Sequence, residues 1–500
     1  MLRISDEQVL QALEVENPWW SADKSVASVK DFPRRNYFGP FAELASQNEV
    51  RRSLILLGPR RVGKTVMLLQ LIEELIASGQ DPATILYISL DRPLYNGMAL
   101  EQVVDLRLRN VPEPDTKEFW FFFDEVQYLR EWERELKVLT DLRRNCRFVA
   151  SGSAAAALRA KSRESGAGRF TTFLLPPLTF DEFLTFQKEE AADLGRLFSF
   201  ADEGFQNKEM LHEVDIPLLN IMFERYCSYG GYPEAVLSRR IQTNMGRFIR
   251  EDIVEKVLLR DLPSLYGISD TRELNSLFTT LALNTAQEIS LEGISQSSSV
   301  AKNTIKRYIE YLEAAFLMRR VRRLDQSAKR FQRETTFKSY LTNPSIRAAL
   351  FSPLTQDDDL FGHLAETAVF SQWFHLPYDE PFYYARWKGG EIDMVNLERS
   401  RLSPDRFVEV KWSDRHLSQR DEWKAISSFV TQHARHLRSG VVTSRIRFGE
   451  RNIEGIRIEV IPTAVYAWTV GRNVVNTKAS DIMRFVETDA QGELFDEAGD

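Results

Sequence analysis

Cysteine is nearly missing from this chain: Cys146 and Cys227 are the only two in 500 residues. Two thiols cannot by themselves build a disulfide framework or a zinc site. Long apolar runs are missing as well. No stretch of about 18 apolar residues occurs, so no membrane-crossing helix is expected. The start, Met1-Leu2-Arg3-Ile4-Ser5-Asp6-Glu7, lacks a signal-peptide core. These absences lead to the expectation of a cytoplasmic protein. Positive charge is not in excess: 65 Lys and Arg face 72 Asp and Glu, a net charge of −7. Any nucleic-acid contact must therefore come from local basic patches. What remains, 43% hydrophobic and 27% charged residues, describes a globular protein too long for one core, with three or four domains expected.

The strongest positive signal is Gly58-Pro59-Arg60-Arg61-Val62-Gly63-Lys64-Thr65. It follows the apolar run Leu54–Leu57 and precedes Val66-Met67-Leu68-Leu69. Strand, glycine-rich loop and helix form the context that a G-x-x-x-x-G-K-[ST] pattern requires. Gly58 and Gly63 let backbone N–H groups, those of Arg60, Arg61 and Val66 among them, curl around phosphate oxygens. The helix N-terminus adds partial positive charge. Lys64 is expected to reach the β- and γ-phosphates of ATP, and Thr65 to hold Mg²⁺.

A matching second half follows. Phe119-Trp120-Phe121-Phe122-Phe123 runs into Asp124-Glu125. A fully apolar strand belongs in a parallel sheet covered on both faces, and such sheets place ligands at their C-terminal ends. Asp124 suits Mg²⁺ coordination and Glu125 suits orienting or deprotonating the attacking water, which points to hydrolysis. The strand at Arg147–Ala150 ends in Ser151-Gly152-Ser153. Ser153 is either a γ-phosphate sensor or part of a turn.

The organisation expected along the chain is an N-terminal lead-in over 1–50, an ATPase core over 51–178, a helical lid over 179–285, a winged helix-turn-helix over 286–348, an α/β domain over 349–475 and an acidic, disordered tail over 476–500. In the lead-in, Asn17-Pro18-Trp19-Trp20 is expected to pack on the next domain. In the core, strands alternate with helices, as in a parallel sheet with helices on both faces. In the winged segment, Lys302–Leu317 is an amphipathic helix with Ile305, Ile309, Leu312 and Phe316 on one face. Residues 319–338 then carry eight Lys/Arg, Arg319, Arg320, Arg322, Arg323 and Lys338 among them, against Asp325 and Glu334. This segment is either a solvated hairpin or interface patch, or a phosphate-contacting wing.

A second constellation lies further on. Glu366 sits on a helix, Asp393 on the second strand of a hairpin, and Glu409 and Lys411 share one face of the next strand. Three hard carboxylates suit one Mg²⁺, and Lys411 beside it would orient or activate water for attack on a phosphodiester. The alternative is a hairpin with a structural Glu–Lys pair.

Several motifs together resemble a prokaryotic AAA-type (P-loop) ATPase family. They are the phosphate loop, Asp124-Glu125, Gly152-Ser153, Gly168-Arg169, Leu175-Pro176-Pro177-Leu178-Thr179-Phe180-Asp181-Glu182-Phe183, Gly230-Gly231-Tyr232-Pro233-Glu234 and Arg260-Asp261. The resemblance covers residues 15 to 470 or so. It implies a multidomain α/β fold: a P-loop ATPase parallel sheet with a helical lid, a winged helix, and a C-terminal PD-(D/E)xK restriction-endonuclease-like α/β domain. The nuclease-like roles fall on Glu366, Asp393, Glu409 and Lys411. The resemblance also suggests Arg169 as a charge-stabilising arginine, acting in a neighbouring subunit of a homo-oligomer, or else as a surface or lid contact. In the segment Lys338-Ser339-Tyr340-Leu341-Thr342-Asn343, the usual acidic residue is Asn343.

The tail carries Gln491-Gly492-Glu493-Leu494-Phe495, which resembles the Q-x-x-L-F peptide with which bacterial replication and repair proteins dock the sliding clamp. Three readings stand at this point. One is an ATP- and Mg²⁺-dependent DNA nuclease, or an enzyme processing branched or single-stranded DNA in replication and repair. Another is a non-cleaving ATP switch that binds DNA or a partner. The third is a defence nuclease restrained by ATP.

Overall fold

The computed structural model describes residues 5–21, 29–47, 52–95, 97–153, 168–187, 214–324, 335–375, 382–398 and 403–475. The chain divides into two compact units, one built on residues 1–176 and the other on 177–474. No helix among the described residues is long and apolar enough to cross a membrane.

The first unit is a five-stranded parallel sheet. Its strands are β1 (Ser53–Leu57), β2 (Ile85–Ser89), β3 (Phe119–Asp124), β4 (Cys146–Gly152) and β5 (Phe170–Leu174), in the order β2-β3-β4-β1-β5. The helices of this unit are α1 (Asp6–Glu16), α2 (Phe38–Ser46), α3 (Lys64–Ala77), α4 (Leu100–Arg109) and α5 (Trp132–Leu142). All six residues of β3 are buried. Its side chains alternate faces, so Phe119, Phe121 and Phe123 stack in one row with centroids 6.2 and 6.3 Å apart, while Trp120 and Phe122 stack in another at 6.1 Å. An aromatic row on each side explains why this strand shows no polar alternation.

The lead-in packs on the edge strand β2, as expected from its tryptophans. Trp19 is buried, and the Nε1 groups of Trp19 and Trp20 both donate to the Ile85 carbonyl, at 3.3 and 2.7 Å. The Arg107 guanidinium lies 3.5 Å from the Trp20 ring centroid.

The second unit opens with α6 (Phe180–Gln187) and α7 (Ile216–Tyr229). Within it α6 is tied to later elements: Phe180 N–H donates to Gln372 Oε1 at 2.8 Å, and Trp468 Nε1 donates to Asp181 Oδ1 at 2.9 Å. Next come α8 (Thr271–Leu283), β6 (Glu288–Ser290), α9 (Leu291–Ser298), α10 (Lys302–Ala314), β7 (Met318–Arg323) and β8 (Thr336–Leu341). Ile305, Ile309 and Leu312 of α10 are buried. The helix ends at Ala314, three residues short of its expected end, and Phe316 turns the chain with φ of 57°.

The unit continues with α11 (Phe361–Trp373), the antiparallel hairpin β9 (Phe382–Trp387) and β10 (Gly390–Leu397), then β11 (Pro404–Glu409), α12 (Lys424–His433), β12 (Ser439–Ser444), β13 (Gly449–Ile453) and β14 (Ile456–Pro462). Strands β6 to β14 form one nine-stranded sheet, ordered β13-β14-β12-β11-β10-β9-β7-β8-β6. It runs straight across the boundary expected at 348–349. The junction is narrow: β7 pairs in register with β9 at Arg322 opposite Tyr383 and Arg323 opposite Tyr384. Asn343, where the resembled family carries an acid, uses both ends of its amide. Its Oδ1 accepts from Ser345 N–H at 2.9 Å and its Nδ2 donates to Tyr226 Oη at 3.3 Å.

Candidate functional site

In the first unit the phosphate loop leaves the end of β1 and enters α3. Gly58 has no room for a Cβ, which would run into the carbonyl oxygen of Leu175, and Gly63 has φ of 97°. The N-cap residue Gly63 has no side chain to cap α3, and the start of a helix carries partial positive charge that suits an anion. Lys64 is buried, and its Nζ donates to the carbonyls of Gly58 at 3.1 Å and Pro59 at 2.8 Å. The buried Arg35 braces the loop from outside, donating to the carbonyls of Val62 at 2.8 Å and Pro176 at 3.0 Å.

Asp124 closes the site from the end of β3. Its Oδ2 accepts from Thr65 Oγ1 at 2.7 Å and from Tyr87 Oη at 2.9 Å; its Oδ1 accepts from Ser151 Oγ and, at 3.1 Å, from Glu125 N–H. Burial, and then the Asp124 charge, push the Tyr87 phenol far above its ordinary pKa, so it stays a donor. Glu125 adopts a left-handed backbone with φ of 59°, and its carboxylate accepts from Gln127 Nε2. Gln127 Oε1 in turn accepts from Ser153 N–H at 3.1 Å. Ser153 Oγ is buried and has no hydrogen-bond partner among the described residues. An orphaned hydroxyl, an uncapped helix start and a folded-back ammonium fit a polyphosphate with its Mg²⁺, which Thr65 and Asp124 would hold.

Arg169 is elsewhere. Its carbonyl accepts from Ser53 N–H at 3.0 Å, at the start of β1, and its Nε donates to Asp141 Oδ1 at 2.5 Å. The five residues of β1 put roughly 16 Å between this edge and the phosphate loop of the same chain.

In the second unit Glu366, Asp393, Glu409 and Lys411 converge. Asp393 sits where the β9–β10 register shifts, a bulge that re-aims a side chain, and it faces Glu409 across the antiparallel pair. Asp393 N–H donates to Glu409 Oε2 at 3.2 Å, Val410 N–H donates to Asp393 Oδ2 at 2.9 Å, and Lys411 Nζ lies 2.9 Å from Glu409 Oε1. Two further residues complete the cluster. Lys338 and Tyr340 share a face of β8. Lys338 Nζ lies 2.8 Å from Asp393 Oδ1 and 3.1 Å from Glu366 Oε1, and also pairs with Glu391; Tyr340 Oη donates to Glu366 Oε1 at 2.6 Å. Lys338, the last cation of the segment read as a solvated hairpin, an interface patch or a phosphate-contacting wing, is 2% exposed. The signal for it was Lys338-x-Tyr340, two polar tips two residues apart and so on one face of the strand.

Burial raises the Glu366 carboxyl to about 8, with the Asp393 charge acting in the same direction. Burial and Asp393 likewise raise Glu409 to about 7. Burial also pushes Asp393 upward, but Lys338 and Lys411 outweigh it and hold Asp393 below its ordinary value. Burial opposes the charge on Lys338, yet Asp393 and Glu366 prevail and hold it protonated. The arrangement does not fit the expected Mg²⁺: the facing carboxylate oxygens of Glu366, Asp393 and Glu409 already carry donors. Among the described residues no cluster of three or more His, Cys, Asp or Glu side chains has the arrangement to hold a metal ion.

The basic strand β7 is an interior strand. Arg320 donates to Glu313 Oε2 through Nε at 3.0 Å and Nη2 at 2.7 Å, and Arg319 lies 4.8 Å from the Phe374 ring centroid. Arg323 donates to the Arg386 carbonyl. Arg322 and Arg323 are exposed. The clamp-like peptide Gln491–Phe495 lies outside the described residues.

Comparison with known proteins agrees with the first unit. Residues 50–184 match a family described as AAA domain, and residues 220–358 match a domain of unknown function (DUF8612). An uncharacterized protein of Haemophilus influenzae is 23% identical over 319 residues, 63% of this chain and 72% of that protein. Uncharacterized protein MJ1637 of Methanocaldococcus jannaschii is 26% identical over 338 residues, 65% of this chain and 68% of that protein. The ADP form of the Aeropyrum pernix ORC2 protein covers 63% of this chain and 92% of its own at 15% identity, with a TM-score of 0.33. With its parallel sheet, phosphate loop and AAA-family match, the segment 50–184 is an AAA-type P-loop ATPase domain.

Proposed function

We propose that this chain is an ATP-hydrolysing switch that engages DNA through a winged helix and carries a PD-(D/E)xK-like domain that binds without cutting. The observation that carries the ATPase half is the 2.7 Å hydrogen bond from Thr65 to Asp124, which joins the phosphate loop to the end of β3. Mg²⁺ bound with ATP supplies charge neutralisation at the phosphates. The residues do the rest. Lys64 exchanges the carbonyls of Gly58 and Pro59 for phosphate oxygens, and the loop N–H groups with α3 take the remaining negative charge. Thr65 and Asp124 hold the ion, while Tyr87 and Ser151 keep the Asp124 carboxylate aimed. Ser153 Oγ gains the γ-phosphate as its acceptor. Glu125, once Gln127 lets go of it, orients the attacking water. Arg169, paired with Asp141 away from the phosphate loop of its own chain, would serve the ATP site of a neighbouring copy in a homo-oligomer.

The DNA half is supported by the element order α8, β6, α9, α10, β7, β8, with β8 antiparallel to both β6 and β7, which is the order of a winged helix. Lys302 and Arg307 on α10 are exposed, as is Arg322 on β7, and these would contact phosphates. A domain division at 178, 285, 348 and 475 goes with this reading.

A nuclease is the second reading, favoured by the Lys411–Glu409 pair at 2.9 Å beside Asp393. Against it, Glu366, Asp393 and Glu409 are only 6–7% exposed. The test is incubation of the purified chain with branched, single-stranded and duplex DNA, with and without ATP and Mg²⁺. ATP-sensitive binding without strand scission is expected. Scission lost in Asp393→Ala with ATP turnover intact would establish the nuclease, and absence of ATP turnover would remove the switch.

A further inference from the structure

We infer that the Lys338 ammonium takes the place a divalent cation would take in the carboxylate centre, so that the centre is a metal-free ion cluster fastening β8 of the helix-turn-helix segment to α11 and β10. This deepens the non-cleaving reading and rests on it.

The oxygens that face one another account for the assignment. Asp393 Oδ1 and Glu366 Oε1 both lie on Lys338 Nζ, at 2.8 and 3.1 Å. Glu366 Oε1 also accepts from Tyr340 Oη, and Asp393 Oδ2 from Val410 N–H. Glu409 presents Oε1 to Lys411 and Oε2 to Asp393 N–H. An ion bridging Asp393 and Glu366 would need oxygens at about 2.0–2.6 Å and would stand where Nζ stands. One cation must leave for the other to enter.

Lys338 is badly placed to leave. Its side chain is 3% exposed and comes from β8, which is paired on one side with β7 and on the other with β6. The Tyr384 ring lies 5.8 Å from Nζ and adds its negative face to the enclosure. A strand lysine on Glu366 of α11 and Asp393 of β10 therefore links three segments that the chain separates by 28 and 55 residues. In a carboxylate-only centre a metal performs that linkage. Here a side chain does, and it cannot be chelated away.

The consequence is a latent cation site, opened by removing the lysine charge. The experiment uses the full chain without nucleotide. Fe²⁺ with ascorbate, which cuts backbone next to bound iron, is read out by fragment mass, and Mn²⁺ binding is titrated by paramagnetic resonance. Wild type is expected to show no cuts beside Asp393 or Glu409. Lys338→Gln is expected to gain them, suppressed by excess Mg²⁺, together with about one added Mn²⁺ per chain. Cuts in wild type that Asp393→Asn abolishes would overturn the inference, as would a folded Lys338→Gln that gains no ion. If Lys338→Gln does not fold, the wild-type map decides alone, because cuts there refute the inference and their absence upholds it. ATP turnover on the same samples reports the AAA domain separately, so its failure would sink the switch reading and leave the cation result standing.

Discussion

Asn17 and Tyr87 exchange two hydrogen bonds: Asn17 Nδ2 donates to the Tyr87 carbonyl at 2.8 Å, and the Tyr87 N–H donates to Asn17 Oδ1 at 2.6 Å. A side-chain amide thus stands in for a neighbouring strand on the sheet edge, where open backbone groups invite foreign pairing. Both groups are buried, so Asn17→Ala leaves them unsatisfied and should destabilise the unit by about 2–4 kcal/mol. A lower denaturant midpoint with unchanged slope is the expected reading. An unchanged midpoint would mean that the lead-in is dispensable.

The same strand carries the Tyr87 phenol to Asp124. Tyr87→Phe should keep the fold and weaken the Mg²⁺ dependence of ATP turnover, because Asp124 loses one of its aiming donors. Lys64→Ala should lose ATP binding. Glu125→Gln should bind ATP and slow its hydrolysis by about 10²- to 10⁴-fold. Wild-type turnover in Glu125→Gln would reassign the base.

Stability of the second unit should depend on pH in a set direction. Glu366 and Glu409 hold protons more tightly folded than unfolded, with folded values of about 8 and 7 against an ordinary 4.5. The folded state therefore binds more protons between pH 4.5 and 8, and stability falls as pH rises through that window. Asp393 is lowered from 3.8, so its contribution is present above that value and is lost as pH falls further. Glu366→Gln should flatten the loss toward pH 8 in denaturant unfolding. A wild-type profile that rises from pH 5 to 8 would contradict the cluster as described.

The arginines of β7 should separate into two classes. Arg320→Ala removes the two guanidinium donors on Glu313 Oε2 and Arg319→Ala the cation over Phe374, so both should lower stability and leave the salt dependence of DNA binding alone. Lys302→Ala, Arg307→Ala and Arg322→Ala should each reduce the slope of log K against log salt by about 0.9 if each meets one phosphate. Equal slopes in all variants would take DNA away from this face.

A peptide spanning residues 485–500 should bind a bacterial sliding clamp in the micromolar range, since Leu494 and Phe495 bury little area and the peptide must order. Polarisation titration beside a Leu494→Ala, Phe495→Ala peptide is the measure. Equal binding by both, or by neither, removes the clamp as a partner.

The sequence alone was enough for features whose chemistry is local. The phosphate loop is contiguous, and what it needs, two glycines, a lysine and a helix start, is set by backbone geometry within eight residues. The aromatic strand β3 announced a sheet covered on both faces because side chains alternate every residue whatever the fold. The same alternation put Asp393 and Glu409 on neighbouring strands, whereas Lys411, expected on the strand with Glu409, joins them from two residues beyond the end of β11. Tertiary structure decided which charge answers which. Lys338 read as one more cation in a basic run, since composition counts charges without saying which of them burial will enclose. Once enclosed, an ammonium and a carboxylate must find each other or remain costly, and the partner is whatever the sheet brings near, here residues 28 and 55 positions away. The edge-closing Asn17, the loop-bracing Arg35 and the Asp124-aiming Tyr87 were hidden for the same reason: their partners lie 70, 27 and 37 residues off, and no local pattern encodes a distance that only packing sets.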